Sequence, residues 1–132
     1  MDGFEEQLAI GSSSAIFACG AARLGLKVAF VGVCGDDIFG HFMQEEMQKR
    51  GVDVSNVIVR ANGSTGLSVI LNRSCDRAIL TFAGLISALQ ASDIPDQLLQ
   101  QARHLHIASY FLQTNLQAGL PDLFHPLQPL LQ

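Results

Sequence analysis

Charge is scarce in this chain of 132 residues: 15% of its side chains are Asp, Glu, Lys or Arg, against 48% that are apolar. Such a composition excludes a disordered chain and fits one globular unit that buries much of its sequence. Lys27 and Lys49 are the only lysines, and nowhere do Lys and Arg gather into the stripe that tracks phosphates along a nucleic acid. With a formal net charge of −4, no nucleic-acid partner is expected. Cys19, Cys34 and Cys75 are odd in number and far apart. They form no Cys-x-x-Cys pair, which argues against a zinc knuckle or a disulfide framework and for a reducing, cytoplasmic setting. The acidic start, Met1 to Glu6, lacks the profile of a signal peptide, and no apolar run approaches bilayer length, so neither secretion nor a membrane partner is expected. Both Gly-x-Gly-x-x-Gly and Gly-x-x-x-x-Gly-Lys-Ser/Thr are missing. The Gly-x-x-Gly at Gly32 to Gly35 is therefore read as a strand-to-helix turn. The four scattered histidines assign no Ser-His-Asp constellation.

What the chain does have is alternation of helical and strand texture. Gly11-Ser12-Ser13-Ser14 precedes an apolar stretch from Ala15 to Leu24, so the serines are expected to cap a helix that Gly25 stops. That helix is apolar nearly all round and is expected to be buried on more than one side. Lys27 to Val33 reads as one continuous strand covered on both faces of a parallel sheet. From Asp37 to Arg50, Ile38, Phe39, Phe42, Met43 and Met47 recur at helical spacing. Asp36 or Asp37 is expected to cap this helix, Glu45 to pair with Lys49, and Gly51 to end it. Val57–Val59, Gly66–Leu71 and Ala78–Phe82 are short β-type runs, the last two forming a hairpin. Ser92 or Asp93 then caps a short helix with Pro95 in its first turn, and His104 to Ser109 reads as another sheet strand. A short helix is expected around Leu120 to Phe124, where Pro126 and Pro129 deny a long continuation.

Three strings carry more specific content. Gly11-Ser-Ser-Ser-Ala-Ile-Phe-Ala18 running into Ala22-Arg-Leu-Gly25, Val31-Gly-Val-Cys-Gly-Asp-Asp-Ile-Phe-Gly40, and Arg50-Gly-Val-Asp53 follow one another in order and spacing. Together they resemble the first signature region of PfkB (ribokinase-like) carbohydrate kinases. The similarity continues through Ser64 to Leu71, Asp76 to Gly84 and Ala102 to Ile107, so it reaches about Phe124. The resemblance implies an α/β, ribokinase-like fold, Rossmann-like with three α/β/α layers. Residues 1–132 would supply the N-terminal part of one domain, with a partial sheet and a projecting β-sheet lid within about residues 54–82. It implies a small-molecule sugar as partner, with ATP and Mg²⁺ serving the full-length enzyme and no dedicated residues for either in this chain. No catalytic residue is expected here, because the family's Gly-Ala-Gly-Asp type motif, with its catalytic base and anion hole, belongs to the C-terminal half. This chain alone is expected to be inactive.

By position, the resemblance places sugar contacts at Gly11, Ser12, Ser13 and Ile16 in the first turn, Gly35 and Asp36 in the second, and Thr65 and Gly66 at the entry to the lid. Helix N-terminal amides beside small residues let a polyol approach the backbone, which is the physical basis of that role. Two positions depart from the family pattern: Ser12 replaces a second glycine and Ile16 an asparagine, which implies a changed substrate or weaker binding. Tyr110, with Ser109, is added because ligands gather at the ends of strands in α/β sheets, although a tyrosine there often only packs. Plainer readings stand beside these. Gly11 to Ser14 without its neighbours is only a helix cap. The adjacent carboxylates of Asp36 and Asp37 fit a cap better than a metal or acid–base role. His104 and His106 share one strand face but lack a third ligand, so they read as structural. Cys19 reads as core. Two alternatives from other classes remain: a non-catalytic module that forms a homodimer through its lid strands, and a truncated product without stable function.

Overall fold

The computed structural model describes residues 6–73 and 75–124. Its elements are α1 (Ser13–Arg23), β1 (Val28–Ala29), β2 (Gly32–Gly35), α2 (Ile38–Lys49), β3 (Val52–Asp53), β4 (Val57–Arg60), β5 (Leu67–Arg73) and β6 (Asp76–Phe82), then α3 (Asp96–Gln101), α4 (Thr114–Gln117) and α5 (Leu120–Phe124). Single 3₁₀ turns lie at Ala91–Asp93 and Tyr110–Leu112.

The two long helices form where expected, and Gly25 (φ 88°) and Gly51 (φ 85°) end them in left-handed backbone. Their faces differ from the expectation. In α2 the buried stripe runs from Gly40 through Met43 to Met47, which is wholly inaccessible. Ile38 is 76% exposed because nine residues at about 100° each carry it half a turn away from Met47. Lys49 and Arg50 both bond Glu46, at 2.8 and 2.6 Å, instead of Lys49 pairing with Glu45. Helix α1 buries only one side, with Ala15, Ala18 and Cys19 in the core while Ile16 (59%) and Phe17 (45%) stay exposed. Nor do its serines cap it: Ser12 occupies the N-cap position with φ 68° and makes no side-chain bond to the helix.

Lys27 to Val33 is not one continuous strand. Val28 pairs in parallel with Val52, and Gly32 with Val57, so the partner gains one residue between the two ladders. A turn at Asp53 to Asn56 inserts it, held by Ser55 N–H on the Asp53 carboxylate (2.9 Å). Side chains along the ribbon feed two cores. Val28, Phe30 and Val57 join Ala15, Ala18, Cys19, Met47 and Val52 beside α1 and α2. Val31, Val33 and Ile58 join Leu89, Leu99, Leu116 and Leu123 under α3 to α5. Neighbouring residues Val57 and Ile58 thus point into different cores, as opposite faces of one strand must.

Val57–Arg60, the first β-type run in the stretch expected to hold the lid, is β4 and pairs in parallel with β2. Only β5 and β6 stand apart, as an antiparallel hairpin in register from Leu67↔Phe82 to Arg73↔Asp76. Their residues from Ser68 to Arg73 and from Asp76 to Phe82 are all exposed.

One correction concerns His104 to Ser109, which forms no strand. The segment alternates as a strand would, Leu105 and Ile107 packing inward and His104 and His106 outward, but it lacks a ladder partner among the described residues. Ser109 then turns left-handed (φ 55°). Asp93 does not cap α3; its carboxylate takes the Gln90 N–H (2.9 Å) in the preceding turn, and Pro95 precedes α3. Helix α5 lies where expected, while Pro126 and Pro129 fall outside the described residues. No helix among the described residues is long and apolar enough to cross a membrane.

Candidate functional site

The backbone before α1 is held in an unusual shape. Among the described residues, Ser12 (φ 68°) and Ser109 (φ 55°) are the only non-glycine residues with positive φ, and such backbone is costly unless its surroundings enforce it. The two meet at one corner: the hydroxyls of Ser13 and Ser109 lie 2.9 Å apart, tying the start of α1 to the end of the 104–109 segment. Beside them His106 stacks on Phe17 at 3.8 Å between ring centroids. Gly11 and Ser12 are exposed, and no cap bond from the Ser12 side chain engages the start of α1, where backbone donors are the kind an incoming acceptor uses.

That corner forms one wall of an open cleft of about 1350 Å³. Gly11, Ser12 and Ser14 line it from the α1 side, and Thr65, Gly66, Ser68 and Thr81 from the hairpin side. The register accounts for the latter wall. Opposed residues share a face, so Ser68 and Thr81 stand together, their hydroxyls 2.9 Å apart, with Ile70 and Ile79 next to them. The other face carries Leu67, Val69, Leu71, Ala78, Leu80 and Phe82, an apolar run that gives way to Arg73 and Asp76 at the tip. The hairpin thus turns its hydroxyl-bearing face to the cleft.

At the hairpin's foot, Asp37 gathers three donors. Its carboxylate accepts from the N–H of Thr65 (2.7 Å), the hydroxyl of Thr65 (2.7 Å) and the N–H of Gly40 (2.8 Å). The Thr65 oxygen in turn accepts from Gly35 N–H (2.9 Å). These bonds, the Thr65 amide first, then its hydroxyl and the Gly40 amide, hold the Asp37 carboxyl below the usual carboxylate range. Cys34 nearby is pushed up by burial and, secondarily, by the charges of Asp37 and Asp36. Asp36 points elsewhere and pairs with His41 at 2.8 Å beside a shallow, separate hollow of about 430 Å³.

Of the residues singled out in the sequence, Gly11, Ser12, Thr65 and Gly66 all line the cleft. Gly35 is buried inside the Asp37 knot, and Asp36 faces the other hollow. Ser13 engages Ser109, and neither Ile16 nor Tyr110 lines the cleft; the Tyr110 ring packs edge-on against Phe111. Of the two adjacent carboxylates it is Asp37 that caps α2, and sequence reasoning missed its second task, because a bond across 28 residues leaves no mark in local spacing. Among the described residues, no three His, Cys, Asp or Glu side chains converge on a metal-sized site.

A family model described as pfkB family carbohydrate kinase matches residues 15–124. A 5-dehydro-2-deoxygluconokinase from Geobacillus thermodenitrificans is 36% identical over 103 residues, which make up 75% of this chain and 31% of that protein. The crystal structure of a PfkB protein from Polaromonas sp. JS666 superimposes with a TM-score of 0.79 at 26% identity, over 88% of this chain and 41% of that one. A fructokinase from Xylella fastidiosa with bound ATP superimposes with a TM-score of 0.62 at 23% identity, over 70% of this chain and 30% of its own. The chain thus spans about a third of the length of such relatives.

Proposed function

Because the chain belongs to the pfkB family of carbohydrate kinases and corresponds to an N-terminal portion of that mixed α/β, ribokinase-like fold, we propose that it is the sugar-holding part of an ATP-dependent sugar kinase. In this reading the ribbon and its two helical layers are part of a three-layer α/β/α sheet, and the β5–β6 hairpin is a lid. The parent enzyme moves the γ-phosphoryl of ATP to a sugar hydroxyl. The names of the kinases it resembles point to a dehydro-deoxygluconate as the sugar. The observation that carries the reading is that the uncapped start of α1 and the hydroxyl-bearing face of the hairpin open onto one cleft. Gly11 and Ser12 would offer amides to sugar hydroxyls, while Thr65, Gly66, Ser68 and Thr81 close over them. A closed lid excludes the water that competes for a phosphoryl group.

Among the described residues no three His, Cys, Asp or Glu side chains converge, and the sequence has neither of the glycine-rich phosphate-loop motifs, so no step is assigned to Mg²⁺ or ATP in this chain. The test is a coupled assay of the full chain with ATP, Mg²⁺ and 5-dehydro-2-deoxygluconate, alongside calorimetric titration of the sugar alone. Heat of binding without ADP release is expected; sugar-dependent ADP release would overturn the assignment of the chemistry to another part of the fold.

A second reading rests on the hairpin's outer face, where Leu80 (62%) and Phe82 (59%) are exposed next to Val69 and Leu71. Apolar patches of this kind mark interaction sites, and a second copy laying the same face against it would form a homodimer.

A further inference from the structure

We infer that Asp37 is the hinge clamp of the β5–β6 hairpin, a positioning residue whose bonds to Thr65 set the angle at which the hairpin stands over the cleft. The inference takes from the proposed function only the idea that the hairpin roofs the cleft.

A helix cap needs one acceptor for one amide, and Gly40 N–H supplies that donor. The two further bonds reach Thr65, two residues before β5 begins, and serve no purpose in capping. The surroundings are shaped for this contact. A Cβ on Gly35 would stand 2.7 Å from the Asp37 carboxylate and 2.9 Å from the Thr65 nitrogen, so only bare backbone lets the three segments close up. The return leg is locked to the first. Leu85 N–H donates to the Ser64 carbonyl at 3.0 Å, and Gly84, at φ 51°, passes so near that a Cβ would lie 2.9 Å from the Gly66 nitrogen. The two legs therefore move as one, and the carboxylate joins the first leg to the α2 body.

Beyond the legs the hairpin is exposed on both faces, so its position depends on its foot. Seven residues of β5 extend roughly 20 Å, so a swing of about 15° at the foot carries the tip about 5 Å and moves Ser68 and Thr81, about 10 Å from Thr65, by about 2.5 Å, the difference between a hydrogen bond and none.

The experiment uses the chain's own chemistry. Cys75 is exposed at the hairpin tip while Cys19 and Cys34 are buried, so spin labels on Cys75 and on Gln48→Cys, at an exposed position of α2, report the hairpin-to-body distance without any sugar. The parent should give one narrow distance distribution. Asp37→Ser keeps a good helix cap but is too short to reach Thr65; it should widen the distribution about twofold while the helical circular dichroism is unchanged. Thr65→Val should widen it less, and Thr65→Ser, which restores the hydroxyl, should match the parent. Should Asp37→Ser fail to fold, Thr65→Val, with the cap intact, decides alone. A distribution as narrow as the parent's in the variants that lose bonds, or equal widening in Thr65→Ser, would overturn the clamp. Because no ligand enters the measurement, it can fail or succeed independently of sugar binding.

Discussion

Replacing glycine by alanine should have opposite consequences at two helical positions of this chain, and the sign at each follows from its surroundings. Alanine is favoured over glycine inside a helix by about 1 kcal/mol. At Gly20, on the exposed side of α1, a Cβ meets nothing within 4 Å, so Gly20→Ala should stabilise by about 0.5–1 kcal/mol. At Gly40 the same Cβ would press on the Gly35 carbonyl oxygen and stand 2.9 Å from the Thr65 hydroxyl and 3.2 Å from the Cys34 sulfur. Neither backbone nor sulfur yields easily, since Cys34 is wholly buried and Gly35 is fixed by its bond to Thr65. Relief requires Thr65 to back away from Asp37, and disturbing a hydrogen bond to a charged group costs about 1.5–3 kcal/mol. Overpacking adds about 1–3 kcal/mol. Against a helix gain of about 1 kcal/mol, Gly40→Ala should therefore destabilise by about 1.5–5 kcal/mol. Urea unfolding followed by circular dichroism resolves this easily, because at about 1–3 kcal/mol per molar urea the two variants should differ by at least about 0.7 M in midpoint. A Gly40→Ala protein as stable as the parent would refute the tight packing of the α2 start against the hairpin foot.

Acid should weaken the fold in part through Asp37. Its carboxyl is held below the ordinary value by Thr65 and Gly40, so the stabilisation is complete above the unfolded value of about 3.9 and is lost as pH falls through the folded one. Urea midpoints at pH 5 and pH 3 should fall more in the parent than in Asp37→Ser; an equal fall would assign the acid sensitivity to other carboxylates such as Asp53 and Glu46, which are also held low. If the outer hairpin face joins two copies, Leu80→Asp should convert a dimer to a monomer by light scattering without changing the circular dichroism. A parent that is already monomeric at working concentration would remove the dimer reading.

What could be read in the sequence was whatever depends on near neighbours. The extent of α2, the stops at Gly25 and Gly51 and the β5–β6 hairpin follow from periodicity and turn residues within a few positions of each other. Partner choice was not legible. Val57–Arg60 and Leu67–Arg73 have similar β-type composition, yet one joins the parallel ribbon and the other projects, because only the first has a core on each side to receive alternate side chains. His104 to Ser109 shows the reverse: its alternation is real, but a strand also needs a neighbour to bond. Helix α1 was expected to be covered on more than one side because composition reports what a face prefers, not what is there to cover it. Within the candidate site, Gly11, Ser12, Thr65 and Gly66 line one cleft, whereas Asp37 looked like an ordinary cap.

The central claim, that the α1 corner and the hairpin foot together hold a sugar, is tested most directly by amide resonances recorded while 5-dehydro-2-deoxygluconate is added to the ¹⁵N-labelled chain. The amides of Gly11, Ser12, Thr65 and Gly66 should shift together along one saturating curve. Shifts confined to the Asp36–His41 hollow, or none at sugar concentrations in the millimolar range, would contradict the account.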